Sequence, residues 1–219
     1  RGNVVNPDDL VREYGTDSLR LYELFIGPPE VATEWDDHGI DGVFRFLNRV
    51  WRLVTDNWER NWPETIAVKR ATHRLVYEVT ERFESFRFNT GIAQMMAYLN
   101  TVSAEGDNKV DRGSLAVLIK LIAPMAPHIA EELWQMTSHA GSIFESGWPT
   151  YDPALLVDET VTIVIQINGR IKERIEMPKG ISKEKAFAVA REAAAESLAN
   201  KEIIKQIYVP EKIVNFVVK

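Results

Sequence analysis

The stretch GIDGVFRFLNRVWRLVTDNW, residues 39–58, decides the fold. Its apolar residues Val43, Phe44, Leu47, Val50, Trp51, Val54 and Trp58 recur at steps of three and four, the period of an amphipathic helix. Downstream, residues 66–86 repeat the pattern through Leu75, Val76, Val79 and Phe83, and residues 89–102 through Ile92, Met95, Met96 and Leu99. A further helix is predicted over 114–122. Pro127 suits the first turn of another that ends near Ser138. Upstream, residues 7–15 and 16–26 read as two shorter helices, the first ended by Gly15 and the second capped by Thr16 or Asp17. Short connections between such helices predict an antiparallel bundle.

After Pro149, Tyr151, Asp152 and Pro153, which read as a linker, the period changes to two. Val161, Ile163, Ile165 and Ile167 alternate with other residues, Asn168-Gly169 is a strong hairpin signal, and Ile171, Ile175 and Met177 continue the return strand. Ser182 caps an alanine-rich helix to about Leu198, with Asn200 as its left-handed stop, and residues 203–209 and 213–218 read as two more strands. The expected architecture is multidomain, α followed by α+β: residues 1–40 as a junction, 41–150 as an antiparallel helical bundle, and 158–219 as a small β-β-α-β-β domain.

Composition narrows the function classes. The 219 residues include no cysteine, which excludes disulfides, thiol catalysis and cysteine–zinc sites and fits a reducing, cytoplasmic setting. No apolar run reaches the roughly 18 residues of a membrane helix. The chain opens on Arg1 rather than Met and is expected to be a piece of a longer protein. Charge is uneven. Residues 1–160 carry 15 basic and 25 acidic side chains, whereas residues 161–219 carry 11 basic and 7 acidic ones, within a net charge of −6.

No complete catalytic constellation is present. There is no G-x-S-x-G, no Walker A loop and no G-x-G-x-x-G. His38, His73, His128 and His139 have no i, i+4 pairing and read as ordinary helix or loop histidines, so no metal site is expected. Glu131 and Glu132 point about 100° apart on a helix and read as a solvated pair, as does Asp36-Asp37.

Basic faces are the remaining chemistry. Arg45, Arg49 and Arg52 share one stripe of the first long helix, where guanidinium forks suit phosphate oxygens; the same stripe also suits a solvated or acid-paired face. Trp51, Trp58 and Trp62 read as core rather than as a base-stacking platform. Arg170, Lys172 and Arg174 alternate along the return strand, which predicts three cations on one face, with Lys179, Lys183 and Lys185 following. That patch suits phosphate and equally suits protection of an exposed strand edge.

These segments carry a family resemblance. The opening RGNVVNPDDLVREYGTDSLRLYELF, with its Tyr14-Gly15-x-Asp17-x-Leu19-Arg20 run, resembles the segment that follows the KMSKS loop of class I aminoacyl-tRNA synthetases. GVFRFLNRVWRL, FRFNTGIAQMMAYLN, LIAPMAPHIAEELW and VIQINGRIKERI, in that order, together with the ending IIKQIYVPEKIVNFVVK, resemble bacterial-type leucyl-tRNA synthetases. Valyl and isoleucyl enzymes share the first two parts; the NGRIK hairpin and VNFVV ending favour the leucyl type.

The resemblance implies that residues 1–40 are a stem-contact junction, 41–150 the anticodon-binding-type bundle and 158–219 a domain that contacts the tRNA elbow. It implies tRNA(Leu) as partner, along with the catalytic and editing domains of the same chain, in an enzyme that is monomeric when full length. ATP and magnesium would serve that enzyme, with no cofactor and no catalytic residue in this segment. The KMSKS and HIGH motifs are absent here. Arg170 and Lys172 exchange the usual order of the hairpin cations, and Asn200 stands where a glycine is usual. The implied tRNA-binding residues are Arg45, Arg49, Arg52, Arg170, Lys172, Lys183 and Lys185. The rival class is a non-enzymatic helical module that binds protein, which the acidic first part fits about as well.

Overall fold

A computed structural model describes residues 5–28, 30–36, 38–105, 107–157, 160–199 and 201–219. Expectations that fall on Pro29, Asp37, Asp158, Glu159 or Asn200 lie outside the described residues. The chain divides into two compact units, residues 1–156 and 157–219.

The first unit is helical: α1 (Pro7–Tyr14), α2 (Thr16–Phe25), α3 (Gly39–Trp58), α4 (Ile66–Glu84), α5 (Phe88–Glu105), α6 (Arg112–Ile122) and α7 (Pro127–Met136), with 3-10 turns at Ile143–Glu145 and Pro153–Leu156. The boundaries have local causes. The Asn6, Thr65 and Asp111 side chains accept the first free N–H groups of α1, α4 and α6, each such cap contributing about 1 kcal/mol. Gly15, at φ +85, makes the break between α1 and α2. The polar stretch 103–113 is less of a loop than its composition predicts, because α5 runs on to Glu105 and α6 starts at Arg112.

One core runs through this unit. It takes Leu21 and Tyr22 from α2, Val43, Phe46, Val50 and Val54 from α3, Val76 and Val79 from α4, Ile92 and Met95 from α5, and Leu115, Leu118 and Leu133 from α6 and α7. Phe44 is exposed, and Phe46 takes the buried position instead. Gly91 lets α5 approach Phe83 of α4, where an added Cβ would come within 2.5 Å of the ring.

The α2 cap differs from expectation. No side chain caps α2 itself. The Asp17 carboxylate turns to α7 and accepts from the Ile129 backbone N–H and from His128 Nδ1, both at 2.7 Å.

The second unit is a four-stranded sheet in the order β2-β1-β4-β3, with β1 (Thr160–Ile167), β2 (Arg170–Pro178), β3 (Ile203–Val209), β4 (Ile213–Val218) and helices α8 (Lys183–Ala193) and α9 (Ala195–Leu198). β1 pairs antiparallel with β2 and parallel with β4. Ile163, Ile165 and Ile167 face the core with Val214, Phe216, Ala186 and Ala190. Asn168 and Gly169 form the turn with φ of 50 and 79, the two positive angles a type I′ hairpin requires. The Asn168 amide also bonds both backbone groups of Val218, at 2.9 and 3.1 Å, which ties the hairpin to β4.

Candidate nucleic-acid interface

The α3 face opposite the core presents Arg45, Arg49 and Arg52, all exposed, as the spacing predicts. None of the three joins an ion pair among the described residues. Arg49 is oriented from α5, donating to Asn100 Oδ1 at 2.9 Å. Arg49 and Arg52 line a recess of about 460 Å³, and Arg45 does not.

Four segments close that recess: the carboxy-terminal half of α3, the turn after it, Leu99 and Ser103 of α5, and residues 107–109. The turn supplies Arg60 and Trp62, and the loop supplies Lys109, whose Nζ lies 3.2 Å from Asp107 and 5.5 Å from the Trp62 ring centre. Asp107 and Asn108 both have positive φ, and Ser103 Oγ pins Asn108 at 2.7 Å. Trp51 and Trp58 pack on the main core as expected, whereas Trp62 lies outside it and forms part of the recess wall. Arg60, Trp62 and Lys109 escape a periodicity search because they sit in turns. The one sequence signal is the Arg60-x-Trp62-Pro63 string at a helix end.

In the second unit the expected row of three cations on one face is broken. The β1–β2 register shifts between Ile165 and Gln166, so that Ile165 pairs Glu173 while Gln166 pairs Ile171. Directly opposed residues share a face. Arg170, opposite Ile167, therefore lies on the helix-covered side, and Arg174, opposite Val164, lies on the other. The bulge also explains why Ile171 is exposed. Lys172, Lys183 and Lys185 are exposed. Lys183 and Lys185 project about 200° apart on α8, with Lys183 Nζ 5.9 Å from the Phe187 ring centre.

Other polar groups are structural. Glu131 is partly exposed and also tied down: it accepts from Gln135, Ser142 Oγ and the Ile143 N–H, bonds that lower its pKa. His73 Nδ1 accepts the Asp152 N–H at 2.9 Å. Among the described residues no cluster of three metal-ligating side chains occurs, and no helix is long and apolar enough to cross a membrane.

A family model described as the anticodon-binding domain of tRNA ligase matches residues 67–187, more than half of the chain. The chain belongs to that anticodon-binding family. The match begins in α4 and ends within α8, so it spans parts of both units. Among solved structures, the anticodon-binding chain is similar to the agnB2 LeuRS of Agrobacterium radiobacter K84, solved as a ternary complex with tRNA and LeuAMS. That similarity has 30% sequence identity and a TM-score of 0.72, and it covers 100% of this chain. The chain spans 31% of the length of that LeuRS.

Proposed function

We propose that this chain is the tRNA-binding C-terminal part of a leucyl-tRNA synthetase. The observation that carries the reading is the likeness, along the whole chain and across both units, to a LeuRS solved with tRNA. The parent enzyme, in this reading, works in the cytoplasm as a monomer. It activates leucine with ATP and magnesium and passes the leucyl group to tRNA(Leu).

The chain's own contribution is placement. Aminoacyl transfer needs the acceptor end within about 3–3.5 Å of attack geometry. Contacts made far from the reacting atoms help fix that position. Arg45, Arg49 and Arg52 on α3 would hold phosphates of the RNA. Arg170, Lys172, Lys183 and Lys185 of the second unit would contact the elbow as separate points rather than as one patch. Such contacts position the RNA more than they read its sequence.

The test is deletion of residues 156–219 from the full-length enzyme. The reading expects leucyl-adenylate formation to persist while tRNA charging collapses; equal loss of both activities contradicts it.

A further inference from the structure

Asn168-Gly169 is the one Asn-Gly pair in the sequence, and asparagine is a chemically labile residue. The backbone nitrogen that follows an asparagine can attack the side-chain amide carbon. Glycine, with no side chain in the way, resists that approach least. A new N–C bond closes a cyclic imide. The asparagine amide nitrogen leaves as ammonia and takes up the proton that the attacking nitrogen gives away. Water then opens the imide at either carbonyl, leaving aspartate or isoaspartate. Nothing is oxidised or reduced, and water is the sole co-reactant. Asn168 and Gly169 are both exposed, so water reaches them.

The fold restrains both reacting groups. The attacking atom, Gly169 N, has its proton engaged by Asn215 Oδ1 at 3.2 Å. The amide under attack is held at both ends by Val218. The Val218 N–H donates to Asn168 Oδ1 at 2.9 Å, and Asn168 Nδ2 donates to the Val218 carbonyl at 3.1 Å. The Asn168 backbone N–H donates to the carbonyl of buried Phe216 at 2.9 Å. All of these partners belong to β4, which lies between β1 and β3 in the sheet. Ring closure requires the amide to leave Val218 and the Gly169 proton to leave Asn215, so the turn must part from β4 before the reaction starts.

We propose that Asn168 is a latent modification site, kept as asparagine by β4 and converted to aspartate or isoaspartate when the turn opens. Conversion removes the Nδ2 donor that the Val218 carbonyl uses and adds a negative charge next to Arg170. The isoaspartate product also lengthens the backbone inside the turn, so the altered turn cannot close on β4 as before. The inference stands on the hydrogen bonds of the second unit and is independent of the tRNA reading.

The 219-residue chain is incubated at mildly alkaline pH, folded in buffer and unfolded in guanidinium chloride, beside a synthetic peptide of residues 163–173. Peptide mass spectrometry counts the acid formed at position 168, and enzymatic methylation counts isoaspartate. The unfolded chain should convert at the rate of the peptide. The folded chain should convert about tenfold more slowly or less, because the reaction waits on local opening. Asn215→Ala, which frees the Gly169 N–H, should convert several-fold faster than wild type, whereas Asn215→Asp, which keeps an acceptor oxygen, should stay near wild type. Circular dichroism of each variant separates a freed turn from a lost fold, and the comparison of folded with unfolded wild type needs no variant. A folded chain that converts as fast as the peptide overturns the guard. An unfolded chain that does not convert overturns the site itself. A folded Asn215→Ala variant with the wild-type rate overturns the part given to Asn215.

Discussion

The Asp17 carboxylate accepts the Ile129 backbone N–H at 2.7 Å, a contact that joins residues 112 apart in sequence. Three residues further along α2, Arg20 donates to the Pro124 and Met125 carbonyls, both at 3.3 Å. One face of α2 thus satisfies free carbonyls of the turn between α6 and α7 and a free N–H at the start of α7, the two kinds of group a helix break leaves open. The Tyr14-Gly15-x-Asp17-x-Leu19-Arg20 run and the LIAPMAPHIAEELW segment are two halves of one joint.

Asp17→Ala should therefore lower the unfolding free energy by about 1–2 kcal/mol, the upper range for a lost helix cap, because the carboxylate is only 11% exposed. Asp17→Asn, which keeps an acceptor oxygen, should cost less. Urea denaturation of both variants checks the order. Equal losses would mean that charge, rather than the hydrogen bond to Ile129, holds the joint.

The hairpin gives a second prediction. Asn168 supplies a left-handed turn residue and a two-way amide bond to Val218. Asn168→Gly keeps the conformation and loses the amide. Asn168→Ala loses the amide and strains the turn, costing about 1–2 kcal/mol more. Hydrogen exchange of β1 and β4 amides should be faster in the alanine variant than in the glycine one.

Acid sensitivity follows from His139. Its ring stacks on Trp134 at 3.6 Å. Burial, with the Lys120 ammonium nearby, lowers its pKa below the ordinary 6.5. The unfolded chain then takes up a proton at higher pH than the folded one. The His139 contribution is complete above pH 6.5 and is lost as the pH falls from there through the lower folded value. Stability measured from pH 7.5 to 5 should decline in wild type, and the decline should be shallower in His139→Gln.

Much of this was legible in residue order. The α3 period, the Asn168-Gly169 turn and the Ser182 cap depend on neighbours within a few positions, and each is found where the pattern puts it. What escaped depends on distant partners. Asp17 has the composition of a local cap but serves another helix. Lys172 reads as one of an alternating row, yet the bulge that reorders the row is set by pairing with β1. The recess combines faces of two helices, a turn and a loop, so neither its charge nor Trp62's place in its wall can be read from any one window.

The account stands on cations of α3 holding RNA phosphates, and the salt dependence of tRNA(Leu) affinity tests that most directly. For the wild-type chain the logarithm of the association constant should fall steeply with the logarithm of salt concentration. Replacing Arg49 and Arg52 together by alanine should reduce that slope by about 2, close to one for each phosphate contact removed. A slope unchanged in the double variant, with affinity intact, would contradict the account.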